Sequence, residues 1–266
     1  MASTPQTQSS TLTGKVAIVT GGSRGIGAVT AVELAKRGAK VAITFVSPSS
    51  EKLADEVIGK IASLNNGSLA IKIQADARDL GSPARVVAET VAVFGPSIDI
   101  LVNNAGAEFT RPLGEITVES YTNIFDVNVR SVIFMTQAVL PHLRGPGRII
   151  NIGSVLGRIG HPGSSVYSAT KAALEALTRG WASELGATGH TVNVIARALT
   201  ETDMMARAVQ ELGSDQSIQM QQMLTPLEHR LGKPEDIALS VALLAEPSSR
   251  WITGQTIQAG GGIYMS

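Results

Sequence analysis

The sequence predicts an α/β fold in one domain, built on a doubly wound parallel sheet of about seven strands with helices on both faces. Short apolar runs alternate with longer helical patterns along the chain, which is the order of a parallel sheet with helical crossovers. The strands are apolar at nearly every position, as in Val16-Ala17-Ile18-Val19, which is typical of burial on both faces. No Pro- or Gly-rich linker divides the 266 residues, so one domain is expected.

The elements follow one another in strict alternation. Seven runs have the length and composition of buried strands: residues 16–20, 41–46, 69–74, 98–102, 148–152, 191–195 and 256–258. Six longer segments have helical length and pattern: residues 26–37, 51–64, 83–94, 120–143, 165–185 and 234–244. A chain of this order is expected to place helices on both faces of a parallel sheet.

Two segments depart from the alternation. Residues 1–13 are rich in Ser, Thr and Gln and have no apolar core, so they predict a disordered lead-in before a domain at residues 14–266. Residues 198–227 lie between the sixth strand and the last long helix and contain four Met residues. Connecting helices packed on the core and a mobile apolar lid over a substrate both fit this segment.

Composition excludes several classes of function. Lys plus Arg and Asp plus Glu each number 22, so no net charge favours nucleic acid or an anionic membrane surface. The chain has no Cys, and its four His residues lack the spacing of metal ligands, so neither thiolate catalysis nor a metal site is expected. No run approaches membrane-spanning length, and the expected location is cytoplasmic.

A glycine-rich turn joins the first predicted strand to the first predicted helix. It reads Gly21-Gly22-Ser23-Arg24-Gly25-Ile26-Gly27, so the glycines fall where a strand turns into a helix N-terminus. Missing side chains let the backbone approach a phosphate, and the helix end offers unpaired N–H groups. A tight turn without a ligand uses the same residues, but the position at the first strand–helix junction favours a dinucleotide.

The end of the second predicted strand bears on the choice of dinucleotide. Folds that prefer NAD place an acidic residue there to bind the ribose 2′-hydroxyl, and no acid occurs between residues 38 and 50. Arg24 and the hydroxyls of Ser47 and Ser49 suit a 2′-phosphate instead. The sequence therefore predicts NADP(H), the alternative being that Arg24 is a solvated turn residue.

Tyr167 and Lys171 stand four residues apart in a predicted helix, thirteen residues after Ser154, so the phenol and the ammonium share one face. A nearby cation stabilises a phenolate and lowers the tyrosine pKa from about 10 toward neutrality. Ser154 is then suited to hold a substrate oxygen. Taken alone, such a pair is more often a surface pair than a proton-transfer site.

These motifs together resemble the short-chain dehydrogenase/reductase family over residues 12–262. Thr20 and the glycine turn are similar to the family's cofactor turn, Asp76 to its adenine contact, and Asn103-Asn104-Ala105-Gly106 to the element beside its fourth strand. Asn128, Ser154, Tyr167 and Lys171 match its catalytic tetrad in order and spacing. Residues 153–160 look like the branch of β-ketoacyl and polyketide-type ketoreductases.

The resemblance implies a Rossmann-type fold and an NADPH-dependent ketoreductase of secondary metabolism. Tyr167 is then the general acid, Lys171 holds the nicotinamide ribose and lowers the tyrosine pKa, and Ser154 hydrogen-bonds the carbonyl oxygen. Asn128 holds an ordered water behind Lys171. The implied cofactor contacts are Thr20, Gly21, Ser23, Arg24, Gly25, Ile26, Gly27, Ser47, Asp76, Ala77, Asn104, Ala105, Gly106, Tyr167, Lys171 and Thr202.

One stretch departs from the family pattern. Family members carry Pro-Gly after the sixth strand, whereas this chain has Arg197-Ala198 and retains the later Thr202. Unlike proline, Arg197 has no ring that fixes φ, and it has a backbone N–H. Unlike glycine, Ala198 is disfavoured if the backbone needs a positive φ at this position. Three interpretations are open: a harmless adjustment of the backbone, altered geometry with Arg197 facing the site, or impaired catalysis. A cofactor-bound scaffold and an NAD-dependent alcohol dehydrogenase are thus alternative functions.

The sequence predicts a class of substrate and a range of oligomeric states. Walls are expected from Glu108, Phe109, residues 156–162 and the Met-bearing lid, which suits a ketone or enone on a hydrophobic or aromatic skeleton. No basic patch is evident that would recognise an acidic carrier protein. Residues 251–262 resemble the last strand and tail through which family members pack, so a homo-tetramer or homodimer is expected, with a frayed edge strand as the alternative.

Overall fold

The computed structural model describes residues 10–203, 205 and 215–265. Seven strands in the described residues form one parallel sheet in the order β3-β2-β1-β4-β5-β6-β7. The strands are β1 (Val16–Val19), β2 (Lys40–Phe45), β3 (Ala70–Gln74), β4 (Ile98–Asn103), β5 (Leu143–Ser154), β6 (Thr191–Arg197) and β7 (Thr256–Ala259). The predicted parallel sheet of a Rossmann-type α/β domain is confirmed.

Helices cover both faces of this sheet. They are α1 (Gly25–Lys36), α2 (Pro48–Ala62), α3 (Ser82–Phe94), α4 (Val118–Phe125), α5 (Ser131–Val139), α6 (Ser165–Leu185), α7 (Asp215–Leu224) and α8 (Pro234–Ala245). Buried side chains of α1, α2 and α8 form one hydrophobic core with the sheet, and those of α3, α5 and α6 form the other. The sheet is therefore doubly wound.

The sequence of β1 shows why the central strands are apolar throughout. Ala17 and Val19 belong to the core beneath α1 and α8, whereas Val16 and Ile18 belong to the opposite core. Successive side chains of a strand point to opposite faces, so a strand covered on both sides needs an apolar residue at every position.

The segment predicted as one helix over residues 120–143 is interrupted. The structure has α4, a π-helical turn at Asp126–Arg130, α5 and a short 3₁₀ turn at Leu140–His142. Pro141 lacks an N–H group and ends the regular helix. In a π-helical turn the backbone hydrogen bonds span five residues instead of four, and such turns occur often at functional sites.

The chain ends and the predicted lid are described in part. Leu12, in the predicted lead-in, is 1% exposed and its N–H donates to Arg37 O, so the fold begins before residue 14. Residues 1–9 lie outside the described residues, as do residues 204 and 206–214 of the lid. Met220 and Met223 on α7 are 60% and 75% exposed. Among the described helices, we find none with the length and apolarity that crossing a membrane requires.

The order in which strands are added to the sheet reverses beside β1, which lies between β2 and β4. A crevice forms outside the carboxyl ends of the strands at such a switch point. The glycine turn follows β1, residues 104–107 follow β4, Ser154 ends β5 and Arg197 ends β6. The fold thus brings the predicted site segments to one edge of the sheet.

Candidate active site

A cavity of about 610 Å³ lies at this edge and extends from the glycine turn to α6. The predicted site residues that line it are Thr20, Gly21, Ser23, Arg24, Gly25, Ile26, Gly27, Asp76, Ala77, Asn104, Ala105, Gly106, Tyr167, Lys171 and Thr202. Three others do not line it: Ser47 lies just beyond Val46, and Asn128 and Ser154 are buried. Among the described residues we find no group of three His, Cys, Asp or Glu side chains that could hold a metal ion.

The glycine turn requires glycine for two separate reasons. Gly21 and Gly25 have φ values of 64° and 55°, in the left-handed region that favours glycine. Gly27 has no room for a side chain, because a Cβ there would lie 2.3 Å from Gly21 O and 2.5 Å from Asn104 Nδ2. The turn therefore brings backbone close to whatever the cavity binds.

Thr20 and Asn104 hold this turn in place. The Asn104 side chain donates to Thr20 O at 2.9 Å and to Gly21 O at 3.1 Å. The Thr20 hydroxyl oxygen accepts from the N–H groups of Asn104 and Ala105, each at 3.0 Å. Residues 104–106 are thus the scaffold that joins the end of β4 to the cofactor turn, as well as part of the cavity wall.

Helix α1 begins at this turn with its N-terminus toward the cavity. Its N-cap residue, Arg24, has extended backbone and forms no capping hydrogen bond, and the first turn of the helix contains no acidic residue. The N–H groups of the first turn are therefore available to an anion, which the helix dipole also favours. This geometry fits a pyrophosphate.

The end of the cavity beside β2 and β3 is bounded by Val46, Asp76 and Arg78. Arg78, which sequence reasoning missed, donates to the Asp76 carboxylate at 2.7 Å and lowers the pKa of Asp76. The carboxylate also accepts from the N–H of Arg78 at 2.9 Å. Asp76 and Arg78 thus form a local turn, in which the aspartate side chain binds the backbone two residues later, as is typical of turns that begin with Asp.

Tyr167 and Lys171 lie together on the buried face of α6. The two residues are 5% and 6% exposed, and Lys171 Nζ is 5.7 Å from the centroid of the Tyr167 ring. Lys171 Nζ donates to Ile152 O at 2.9 Å. Burial, and secondly the charge of Arg197, lower the pKa of Lys171 to about 7. The pair is not a surface pair but a buried cation beside a phenol.

Ser154 ends β5 next to this pair. It is 5% exposed, and its Oγ accepts a hydrogen bond from Leu156 N at 3.2 Å. A hydroxyl that accepts from the backbone still has its own proton to donate. The contact with Leu156 therefore leaves the Ser154 hydroxyl proton available to an acceptor.

Asn128 lies in the π-helical turn and is fully buried. Its side chain accepts from Ala107 N at 2.8 Å and donates to Ala107 O at 3.0 Å and to Thr170 Oγ1 at 3.1 Å. Asn128 thus ties the loop after β4 to α6 one residue before Lys171. Its side chain has a positioning role, and the water predicted behind Lys171 stays a prediction.

The backbone accommodates Arg197-Ala198 without strain. Arg197 continues β6, in register with Ser154 on β5 and Ala259 on β7. Among the described non-glycine residues, positive φ occurs at Asn65, Glu228 and His229, so Ala198 is not forced into the left-handed region. Arg197 is one of the residues that line the cavity, which agrees with the second interpretation of this departure.

The substrate walls differ in part from expectation. Glu108 and Phe109 line the cavity as predicted, but none of residues 156–162 does. Instead α4, the π-helical turn and α5 supply Ile124, Val127 and Met135, respectively. Sequence periodicity missed them because it read these residues as one uninterrupted helix, whose inner face is indistinguishable from ordinary core.

The buried Lys171 predicts a pH-dependent stability. Its pKa is about 7 in the folded protein and 10.5 when unperturbed, so between these values the unfolded chain binds more protons and the free energy of unfolding rises with pH. We expect the cofactor-free protein to gain about 1 kcal/mol or more between pH 6 and pH 9. Lys171→Met should remove most of that gain, as chemical denaturation of both proteins would measure. An equal gain in the variant would contradict the assignment.

The comparisons with known proteins agree with this geometry. A family model described as enoyl-(acyl carrier protein) reductase matches residues 9–264. Dehydrogenase OXI1 of Cochliobolus heterostrophus is 51% identical over 226 residues, which are 85% of this chain and 97% of that protein. Hydroxynaphthalene reductase arp2 of Aspergillus fumigatus is 39% identical over 251 residues, covering 92% of this chain and 90% of that protein.

A solved structure is similar over almost the whole fold. The short chain dehydrogenase from Burkholderia cenocepacia in complex with NADP has a TM-score of 0.86 and 39% identity, covering 95% of this chain and 99% of that one. The family match, the relatives and the doubly wound sheet lead to one conclusion. The chain belongs to the short-chain dehydrogenase/reductase family of oxidoreductases.

Proposed function

We propose that the protein is an NADPH-dependent ketoreductase in which Tyr167 is the general acid. The observation that carries this proposal is the buried pair of Tyr167 and Lys171, which lines the same cavity as the glycine turn. A phenol becomes a useful acid near neutral pH only where a cation stabilises its anion. Lys171 supplies that charge from one helical turn away.

The reaction adds a hydride and a proton to a carbonyl group. Bound NADPH supplies the hydride to the carbonyl carbon. Tyr167 donates its hydroxyl proton to the carbonyl oxygen, and Ser154 donates a hydrogen bond to the same oxygen, where negative charge develops. Lys171 stabilises the tyrosinate that remains until solvent returns its proton. The product is an alcohol.

The residues of the turn fit the dinucleotide. The glycines that exclude a Cβ and the uncapped first turn of α1 suit the pyrophosphate, and Thr202 packs over the turn, 3.5 Å from where a Cβ of Gly25 would be. Arg24 and the absence of an acid between residues 38 and 50 favour a 2′-phosphate. The complex of a related dehydrogenase with NADP supports the same preference.

The substrate we propose is a ketone or enone on a hydrophobic or aromatic skeleton. Phe109, Ile124, Val127 and Met135 give the cavity an apolar wall. A relative named hydroxynaphthalene reductase supports an aromatic substrate, and with it a place in secondary metabolism. The keto tautomer of a hydroxylated aromatic ring provides the carbonyl that the chemistry needs.

The direct test follows NADPH oxidation with a panel of aromatic, polyketide-like and simple ketones. We expect turnover with an aromatic member, and an affinity for NADPH at least about tenfold above that for NADH, or about 1.4 kcal/mol. Binding of NADPH without turnover of any ketone would favour a scaffold. Equal or better affinity for NAD than for NADP would favour an alcohol dehydrogenase.

We further propose a homodimer or homo-tetramer in the cytoplasm. Trp251, before the edge strand β7, is 96% exposed, and the side-chain amide of Gln258 on β7 is buried without a partner in the described structure. Both features suit an edge that a second copy covers. Light scattering after size exclusion should give a multiple of the mass of one chain, and a stable monomer would contradict this assembly.

A further inference from the structure

We propose that Arg197 binds a negatively charged oxygen of the substrate, so that the enzyme selects ketones carrying a carboxylate or an ionised phenol. The proposal rests on the ketoreductase function and names the class of substrate. It starts from the position of Arg197 at the end of β6, in register with Ser154 and among the residues that line the cavity.

The position of β6 places Arg197 in the substrate half of the cavity. The glycine turn follows β1, and the sheet order puts β4 and β5 between β1 and β6. Three strand spacings separate the ends of β1 and β6, about 14 Å. The backbone of Arg197 therefore lies three strands from the end of β1 and next to the end of β5, where Ser154 is placed.

The charge of Arg197 has no counter-ion within the described structure. Its recorded hydrogen bond is a long one, from Nη1 to the neighbouring Ala198 O at 3.3 Å, and no described carboxylate forms an ion pair with it. By contrast, Asp76 and Arg78 neutralise one another at the end of the cavity beside β2 and β3. A guanidinium that lines the cavity without forming an ion pair gains most from an anionic ligand with a planar pair of oxygens.

Lys171 adds a second cation to the same half of the cavity. Arg197 is close enough to lower the pKa of Lys171, and Lys171 donates to a neutral carbonyl oxygen and not to a carboxylate. Two cations that repel each other across a low-dielectric space attract an anion placed between or beside them. Such an anion also favours the charged form of Lys171, which Tyr167 needs.

The cofactor does not supply this anion. The N-terminus of α1 is available to the pyrophosphate, and Arg24 is on the same side of the site. The nicotinamide ring is neutral when reduced and positive when oxidised, so it offers Arg197 no negative charge. The remaining component of the complex is the substrate, and its acidic oxygen is the partner that the geometry requires.

The kinetic test compares Arg197→Met, which keeps most of the side-chain volume, with Arg197→Lys, which keeps the charge. Each is assayed with aromatic ketones that share one skeleton and carry a carboxylate, a phenol, or the corresponding methyl ester or ether. We expect Arg197→Met to lower the ratio of kcat/KM for acidic over neutral ketones at least about tenfold. Arg197→Lys should retain part of that ratio. The carboxylate and phenol series show which acid is preferred.

An equal loss for acidic and neutral ketones in Arg197→Met would mean that Arg197 only shapes the strand, and would overturn the proposal. So would a rise in the dissociation constant of NADPH that accounts for the whole effect. A melting curve of each variant separates these outcomes from misfolding, since the ratio is compared only in proteins that fold.

A binding measurement separates this proposal from the ketoreductase function. The parent and Arg197→Met, both saturated with NADPH, are titrated with 2-naphthoate and with its methyl ester by calorimetry. Binding of the acid by the parent, weakened at least about tenfold by Arg197→Met, supports the proposal even if no ketone is reduced. Failure of the parent to prefer the acid over the ester would contradict it, even if ketones are reduced.

Discussion

We expect the replacement of Tyr167 with Phe to lower kcat for ketone reduction at least about 100-fold, a loss of roughly 3 kcal/mol of transition-state stabilisation. The substitution removes the hydroxyl and nothing else, so the buried ring keeps its packing against Lys171. Without a positioned proton donor, the alkoxide must form beside Ser154 alone or wait for water. The affinity for NADPH should change far less than kcat.

Tyr121→Phe is the matched control for this variant. Tyr121 lies on α4, is 48% exposed and packs against Phe125, but does not line the cavity. The same removal of a hydroxyl there should leave kcat within about twofold of the parent, because surface changes away from a site are close to neutral. A Tyr167→Phe protein as fast as Tyr121→Phe would rule out Tyr167 as the general acid.

Replacing Gly27 with Ala should abolish measurable NADPH binding under conditions where the parent is saturated. A methyl group at this position meets Gly21 O at 2.3 Å and Asn104 Nδ2 at 2.5 Å, so the turn must open or the helix must withdraw. Either movement separates the Asn104 hydrogen bonds that hold the turn. We expect a loss of at least about 100-fold in affinity, or about 2.7 kcal/mol, by fluorescence titration.

Gly59→Ala controls for the effect of the substitution itself. Gly59 lies within α2, and a Cβ there meets no atom within 4 Å. Alanine is favoured over glycine in a helix by roughly 0.5–1 kcal/mol, so this variant should bind NADPH normally and melt slightly higher. Normal NADPH binding by Gly27→Ala would show that the turn does not approach the cofactor.

The sheet was predictable because burial on both faces imposes a simple pattern. Every residue of β1 contacts one core or the other, which requires the apolar run that marks a central strand. Helix α6 has the predicted bounds, residues 165–185. The proposed catalytic pair follows from this helix, since Tyr167 and Lys171 are one turn apart on it.

The parts that escaped prediction depend on contacts between distant segments. Nothing local marks the π-helical turn at Asp126–Arg130, which is stabilised when Asn128 binds the backbone of Ala107. The extension of β6 to Arg197 depends on its neighbours β5 and β7. Arg78 was missed because its role is to close a turn by binding the Asp76 carboxylate. A single sequence does not distinguish such an arginine from one on the surface.

Arg197 connects the departure from the family pattern to specificity. A Pro-Gly pair would end β6 without a charged side chain, whereas Arg197 extends the strand and adds a cation to the cavity beside Lys171. Arg197 and Lys171 line the same cavity. A negative charge on the bound substrate would therefore raise the pKa of Lys171. In the proposed mechanism, substrate choice and the protonation of Lys171 are thus coupled through one residue.

The central claim is that hydride and proton reach one carbonyl group in the cavity beside Tyr167. Its most direct test is turnover of an aromatic ketone with NADPH that carries deuterium at both C4 positions of the nicotinamide, followed by mass spectrometry of the alcohol. We predict that the parent places one deuterium on the carbon that bears the new hydroxyl, and that Tyr167→Phe does so at least about 100 times more slowly. An alcohol without deuterium, or equal rates for the two proteins, would contradict the account.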